Sequence, residues 1–167
     1  DTFGLTLPPI SWEKQDDEDW SLSWKQHWQA DPVGERLLIL PAWLECPEEH
    51  ADRLVIAMDP GSAFGTGSHP TTRLCLEAIE TMALAGLRVA DLGCGSGVLG
   101  LGALRLGAAS VCAADTDSLA VRATTDNAAL NGLSGLKLPI SADAKQIALI
   151  VAIAISAICL ASAEIGS

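Results

Sequence analysis

Two aspartates and three alternating glycines are the residues of this 167-residue chain best placed to do chemistry. They lie in and just beyond VADLGCGSGVLGLGALRLGA, residues 89–108. An apolar run ending at Asp91 reads as a strand, and Gly93, Gly95 and Gly97 follow it at every second position. Glycine permits a tight strand-to-helix turn and lets a ligand approach the backbone closely. The helix that follows then turns its free N–H groups towards that ligand. Asp115 ends the next apolar run. A carboxylate at that position can accept hydrogen bonds from both hydroxyls of a ribose. The set describes a nucleoside cofactor laid across the strand ends of an α/β sheet.

Two cofactors compete for this description. Gly95, Gly97 and Gly100 match the GxGxxG fingerprint of dinucleotide binding, which would imply an NAD-dependent oxidoreductase. The other frame is DxGxGxG, beginning at Asp91. The strand residue two before the first glycine is ordinarily apolar in a dinucleotide fold, and here it is an acid. An acid suits a cofactor carrying a cationic ammonium and sulfonium rather than a pyrophosphate. S-adenosyl-L-methionine carries both, so this frame is favoured, with NAD and a ligand-free turn as the alternatives.

The elements that must position these residues alternate. Residues 87–92, 111–115 and 136–140 read as strands, and 98–106 and 118–130 as helices, the second closed by Asn131-Gly132. Strand, helix, strand, helix predicts parallel βαβ units. Upstream, residues 37–40 and 54–58 read as short strands. Residues 59–72, DPGSAFGTGSHPTT, form a loop long enough to carry function. A helix follows with Pro70 in its first turn, an apolar stripe of Leu74, Ala78, Ile79 and Met82, and Gly86 as its stop. Trp20, Trp24 and Trp28 recur every four residues, one face of a further helix that packs on something. Residues 1–17 show no clear period and read as a loop or strand remnant.

Composition narrows the partners. The net charge is −11, and residues 1–52 hold 12 acids against 3 bases. Phosphate affinity comes from Lys and Arg, so direct nucleic-acid binding is not expected. The acidic N-terminal part is better matched to a basic partner. All seven aromatics fall in the first 64 residues, which sets that part off from the Gly- and Ala-rich remainder. The five cysteines have no CxxC spacing, and the expected compartment is reducing and cytoplasmic. The histidines are dispersed, so no metal site is expected. Residues 147–163 are uncharged but barely reach the length of a membrane span. A buried strand over 148–152 running into a small-residue helix is expected there instead.

The motifs DPGSAFGTGSHPTT, VADLGCGSGVLGLGALRLGA and AADTDSLAVRATTDNAALNG together closely resemble the bacterial ribosomal protein L11 methyltransferases. DWSLSWKQHWQADPVGERLLILPAW resembles the linker of that family and the start of its catalytic domain. The resemblance covers about residues 18–133. It implies a Rossmann-like methyltransferase fold that uses S-adenosyl-L-methionine to methylate amino groups of a large-subunit ribosomal protein. It further implies that Thr72 contacts the cofactor and that Phe64, Gly65, Thr66 and Gly67 line the same pocket. Gly93 would approach the methionine portion and Asp115 would hold the ribose. Thr72 could instead cap its helix, Asp117 is expected as an N-cap, and His69 as a loop-ordering residue rather than a base. On this reading residues 1–52 are a linker with a remnant of a recognition region, and 53–167 a partial cofactor-binding domain.

The resemblance breaks at ALIVAIAIS, residues 148–156. Ala148 stands where the family pattern has an acid, and Ile153 where it has an asparagine that touches the cofactor. Isoleucine cannot hydrogen-bond. At roughly 25 residues for each βα unit, the chain holds three to four units of the α/β fold and reads as incomplete at both ends. The expectation is therefore an impaired methyltransferase, with a non-catalytic fragment that binds cofactor or ribosomal protein as the alternative.

Overall fold

The computed structural model describes residues 28–59, 67, 69–133 and 135–141. The segments expected at 1–17 and 148–152 lie outside these residues, as do Trp20, Trp24, Phe64, Gly65, Thr66, Ala148 and Ile153.

Among the described residues the strands form two sheets. In the first, β1 (Asp31–Val33) runs antiparallel to β2 (Leu37–Pro41), which runs parallel to β3 (Leu54–Met58). The central strand β2, LLILP, is buried along its whole length, as a strand flanked on both edges and covered on both faces should be. The three-residue β1 carries no strand signal of its own. It is held by helix α1 (Pro70–Glu80). The Glu80 carboxylate accepts the backbone N–H groups of Glu35 and Arg36 in the β1–β2 turn. The Arg73 guanidinium meets the Asp31 carboxylate and donates to the Pro32 carbonyl. A side chain at Gly34, in the left-handed region at φ 56°, would collide with that same Glu80 carboxylate.

The second sheet holds β4 (Arg88–Leu92), β5 (Ser110–Asp115) and β6 (Leu136–Ser141), parallel and in that order. Helix α2 (Val98–Arg105) connects β4 to β5, and α3 (Ser118–Asn131) connects β5 to β6. These are two consecutive βαβ units, an incomplete Rossmann-like α/β arrangement, and each element lies within two residues of its expected bounds. Gly132, left-handed at φ 60°, ends α3 as anticipated.

One apolar cluster joins the two sheets. Ile39 and Ile56 from the first sheet pack with Leu76 of α1, Val98 and Leu101 of α2, and Val111 of β5. A Cβ at Gly102 would sit 2.8 Å from Leu76, so glycine is what lets α2 approach α1.

Helix α1 departs from expectation in phase and length. Leu76 is fully buried and Thr72 nearly so, whereas Leu74 is 64% exposed and Met82 58%. Of the expected stripe only Ile79 packs against the core. Leu74, Ala78 and Met82 recur at helical spacing, but two residues out of phase with Thr72 and Leu76, hence on the opposite side of the helix. The helix also stops at Glu80, not at Gly86. The Thr81 hydroxyl folds back to donate to the Ala78 carbonyl at 2.7 Å, a local bond that competes with helix continuation. Gly86 instead ties its N–H to the Gly107 carbonyl.

The corrected phase gives a direct expectation. Leu76→Ala should cost ~2–5 kcal/mol in urea unfolding, the range for a buried leucine. Leu74→Ala should stay within ~0.5 kcal/mol of the parent. The reverse order would restore the stripe read from periodicity.

Candidate cofactor site

The site is built at the carboxyl ends of β4 and β5, where open α/β sheets bind ligands. Asp91 pairs with Ala113 across the two strands, and Asp115 ends β5 two residues on. Between β4 and α2 the chain turns in five residues. Gly93, Gly95 and Gly97 all take left-handed φ values, 76°, 54° and 84°. A residue with a Cβ is strained there, which explains glycine at each alternate position.

The loop is tied down through its backbone. The N–H groups of Gly93 and Cys94 donate to the Ala114 carbonyl, and that of Gly95 to Asp115 Oδ2 at 2.9 Å. The other Asp115 oxygen accepts the Asp117 N–H at 3.0 Å. Each carboxylate oxygen has two lone pairs, so both retain capacity for a further donor. Asp117 caps α3, accepting the Leu119 N–H at 2.9 Å, as its sequence position suggested.

Asp91 has a use that its position in DxGxGxG does not disclose. Its Oδ2 accepts the N–H of Gly100 at 3.0 Å, in the first turn of α2. Gly97, the N-cap residue, has no side chain to do this. The strand carboxylate thus caps the helix from below. A Cβ on Gly100 would lie 3.0 Å from that oxygen and from Val111, so the third glycine of GxGxxG serves close helix–strand packing here. Burial pushes the Asp91 carboxyl above its ordinary value, the Gly100 hydrogen bond pulls it back, and the nearby Asp115 charge adds to the rise. Cys94, buried in the same loop, has its thiol pushed up mainly by burial.

The glycines differ in what faces them. At Gly97 a Cβ would meet Thr124 Cγ2 at 2.8 Å. At Gly93 a Cβ would meet nothing within 4 Å among the described residues, so on that side its backbone borders open space. That is the surface a ligand could approach.

Gly67 lies over β2 and Thr72 lies on α1. Gly67, at φ 95°, passes directly over Ile39, whose side chain a Cβ would strike. Thr72 is 9% exposed on the buried face of α1. It is not the cap of its helix. His69 is, with Nδ1 accepting the Thr71 N–H at 3.3 Å and lying 2.7 Å from the Thr71 hydroxyl. His69 therefore orders the end of the loop.

Three buried or half-buried polar residues of α3 were not singled out by sequence, although Thr124, Asn127 and Asn131 share one helix face at i, i+3 and i+7. The Thr124 hydroxyl donates to the Gly95 carbonyl at 2.9 Å, with Cys94 Sγ at 3.3 Å. Asn127 donates to the Ser96 carbonyl and accepts the Asp59 N–H, both at 2.9 Å. Asn131 pairs with both backbone groups of Ala57, at 2.9 and 2.7 Å, and accepts from Arg105 at 3.1 Å.

Residues 1–163 match the family model described as ribosomal protein L11 methyltransferase (PrmA). The chain belongs to that family. It is 76% identical over 130 residues to the ribosomal protein L11 methyltransferase of Parasynechococcus marenigrum, covering 78% of this chain and 45% of the relative. Against the Synechococcus sp. (strain RCC307) enzyme of the same name it is 71% identical over 129 residues, covering 77% of this chain and 43% of the relative. The crystal structure of the ribosomal protein L11 methylase from Lactobacillus delbrueckii subsp. bulgaricus superposes with a TM-score of 0.62 at 36% identity, covering 69% of this chain and 58% of the other. The chain thus spans less than half the length of these two sequence relatives.

Gly100 accounts for the overlapping GxGxxG as a packing position. Among the described residues no cluster of His, Cys, Asp or Glu could hold a metal, and no helix is long and apolar enough to cross a membrane.

Two outcomes test the geometry. Gly93→Ala should cost ~1–2 kcal/mol for its left-handed backbone alone. Gly97→Ala should cost more in the same thermal unfolding series, because Thr124 must also move; equal costs would remove that contact from the account. Asp91 titrates above the ordinary carboxylate value of 3.8 in the folded chain. Its contribution is therefore complete at acid pH and is lost as pH rises through the raised value. Asp91→Asn should gain stability relative to the parent towards neutrality and lose that gain below about pH 4 in urea titrations.

Proposed function

We propose that this chain carries the S-adenosyl-L-methionine half-site of a methyltransferase that acts on amino groups of ribosomal protein L11, a cytoplasmic reaction. The observation that carries this reading is the left-handed, open-faced Gly93 lying between Asp91 and Asp115 at the ends of adjacent parallel strands. The family relatives bear the name of that activity. The free thiols of Cys46, Cys75, Cys94 and Cys112 suit a reducing compartment.

The donor set fits the cofactor. Asp115 would receive the ribose hydroxyls with its remaining lone pairs, while its two backbone bonds hold it in place. Gly93 and Gly95 would let the methionine portion lie against the main chain. Asp91, buried under the loop, adds negative potential that favours a cation and disfavours a pyrophosphate. Gly97 keeps the turn tight. Phe64, Gly65, Thr66, Gly67 and Thr72 would close the other wall. When bound, S-adenosyl-L-methionine supplies a methyl group on a positively charged sulfur. What the chain must add is alignment of an incoming neutral amine and exclusion of water, which demand position rather than a dedicated base. The acidic 1–52 segment suits a basic ribosomal protein as partner.

A specific residue favours a second reading, binding without efficient transfer. Ile153 occupies the place of the asparagine expected to touch the cofactor. Loss of such a polar contact in a reacting site costs ~3–4 kcal/mol, or a factor of 10²–10³.

Thermal unfolding separates the readings. At 100 times its dissociation constant S-adenosylhomocysteine should stabilise the chain by ~2.7 kcal/mol, several degrees for a small domain. NAD should give no shift. A shift with NAD alone would transfer the site to dinucleotide chemistry, and no shift with either would remove it. Gly93→Ala should abolish the S-adenosylhomocysteine shift. Labelled methyl transfer to ribosomal protein L11 should be weak and should rise in Ile153→Asn. Full transfer by the unaltered chain would reject the impairment.

A further inference from the structure

We propose that Asn127 is a positioning residue that ties the glycine loop to Asp59 at the end of β3, so that the order of each depends on the other. Asn127 is 1% exposed, in the middle of α3. Its amide nitrogen donates to the carbonyl of Ser96 in the glycine loop at 2.9 Å. Its amide oxygen accepts the N–H of Asp59, the first residue of the 59–72 loop, also at 2.9 Å. One planar group therefore bonds the glycine loop and Asp59 at once, and the partners fix which end is which, a carbonyl needing the NH₂ and an N–H needing the oxygen.

Neighbouring residues do not duplicate this. Thr124 bonds the Gly95 carbonyl but nothing on the 59–72 side is bonded to it in the described hydrogen bonds. Asn131 bonds Ala57 and Arg105 rather than the glycine loop. A buried amide that loses a partner leaves the other group desolvated and unsatisfied, so displacement of either Asp59 or the glycine loop is penalised through Asn127. The functional weight of the clasp rests on the cofactor reading above; the clasp itself does not.

The test is amide hydrogen exchange on the full chain, with S-adenosylhomocysteine binding as a separate readout. In Asn127→Ala, exchange should rise both at Asp59 and across residues 93–97, beyond the change in global stability. In Asn127→Asp, which keeps the acceptor for Asp59 and loses the donor to Ser96, the rise should be confined to 93–97. Asn131→Ala should be destabilised as well but should leave 93–97 at its parent rate. S-adenosylhomocysteine affinity should fall about tenfold in Asn127→Ala, equivalent to ~1.4 kcal/mol, and change less than about twofold in Asn131→Ala. Exchange at 93–97 that rises equally in Asn127→Ala and Asn131→Ala would overturn the clasp, as would equal affinity losses. If Asn127→Ala fails to fold, the split between Asp59 and the glycine loop in Asn127→Asp decides. Clasp-dependent exchange in a parent chain that binds no S-adenosylhomocysteine would keep the clasp and reject the cofactor reading.

Discussion

The side-chain amides of α3 set a constraint on which much of the structure depends. Asn131 pairs with both the N–H and the carbonyl of Ala57, doing for β3 what a neighbouring strand would do. Asn127 does the same work between Asp59 and the glycine loop, and both amides also answer for groups on α2 or the turn before it. Buried polar groups are stable only when every partner is present. The first sheet, the glycine loop and α2 are therefore placed relative to α3 by direction as well as by apolar contact. The apolar cluster of Ile39, Ile56, Leu76 and Leu101 supplies the larger driving force, but it is not directional. Register between the two sheets comes from the amides.

The glycine loop shows the same division between force and direction. Its path is dictated by three left-handed residues and by backbone bonds to Ala114 and Asp115. Asp91 completes it from below by capping α2 at Gly100. One consequence is that Asp91 and Asp115 do different work although both are acids at strand ends. Asp91 is withdrawn under the helix and spent on the Gly100 N–H, while Asp115 stays at the loop surface with lone pairs to spare. The rise in the Asp91 carboxyl is the cost of that withdrawal.

Much of this was legible in the sequence, and the reasons differ by element. Alternating apolar runs and glycine stops located β4, α2, β5, α3 and β6, because each is signalled within its own few residues. The caps Asp117 and Gly132 were legible for the same reason. Helix α1 was found but turned the wrong way. Leu74, Ala78 and Met82 repeat as regularly as Thr72, Leu76 and Ile79, and periodicity alone cannot say which stripe meets a neighbour. Strand β1 escaped notice because its stability comes from Glu80 and Arg73, more than forty residues away. Asn127 escaped notice because its partners, Ser96 and Asp59, are 31 and 68 residues distant. A polar residue on a helix is ordinarily a solvated one, and no local pattern distinguishes the exception.

The contrast between Gly93 and Ile153 separates two requirements that a complete enzyme satisfies together. On the proposed reading, holding a nucleoside cofactor asks for backbone shape and a few carboxylate lone pairs, which residues 89–117 would offer, with Asn127 of α3 ordering the loop that presents them. Directing an amine at a methyl group would ask for a hydrogen-bonding group at one further point, and on the proposed reading Ile153 offers none there. Backbone geometry is robust to side-chain replacement, whereas an orienting amide is lost in one substitution. If the proposed reading holds, binding and transfer would thus be separable on physical grounds, because they rest on different kinds of group.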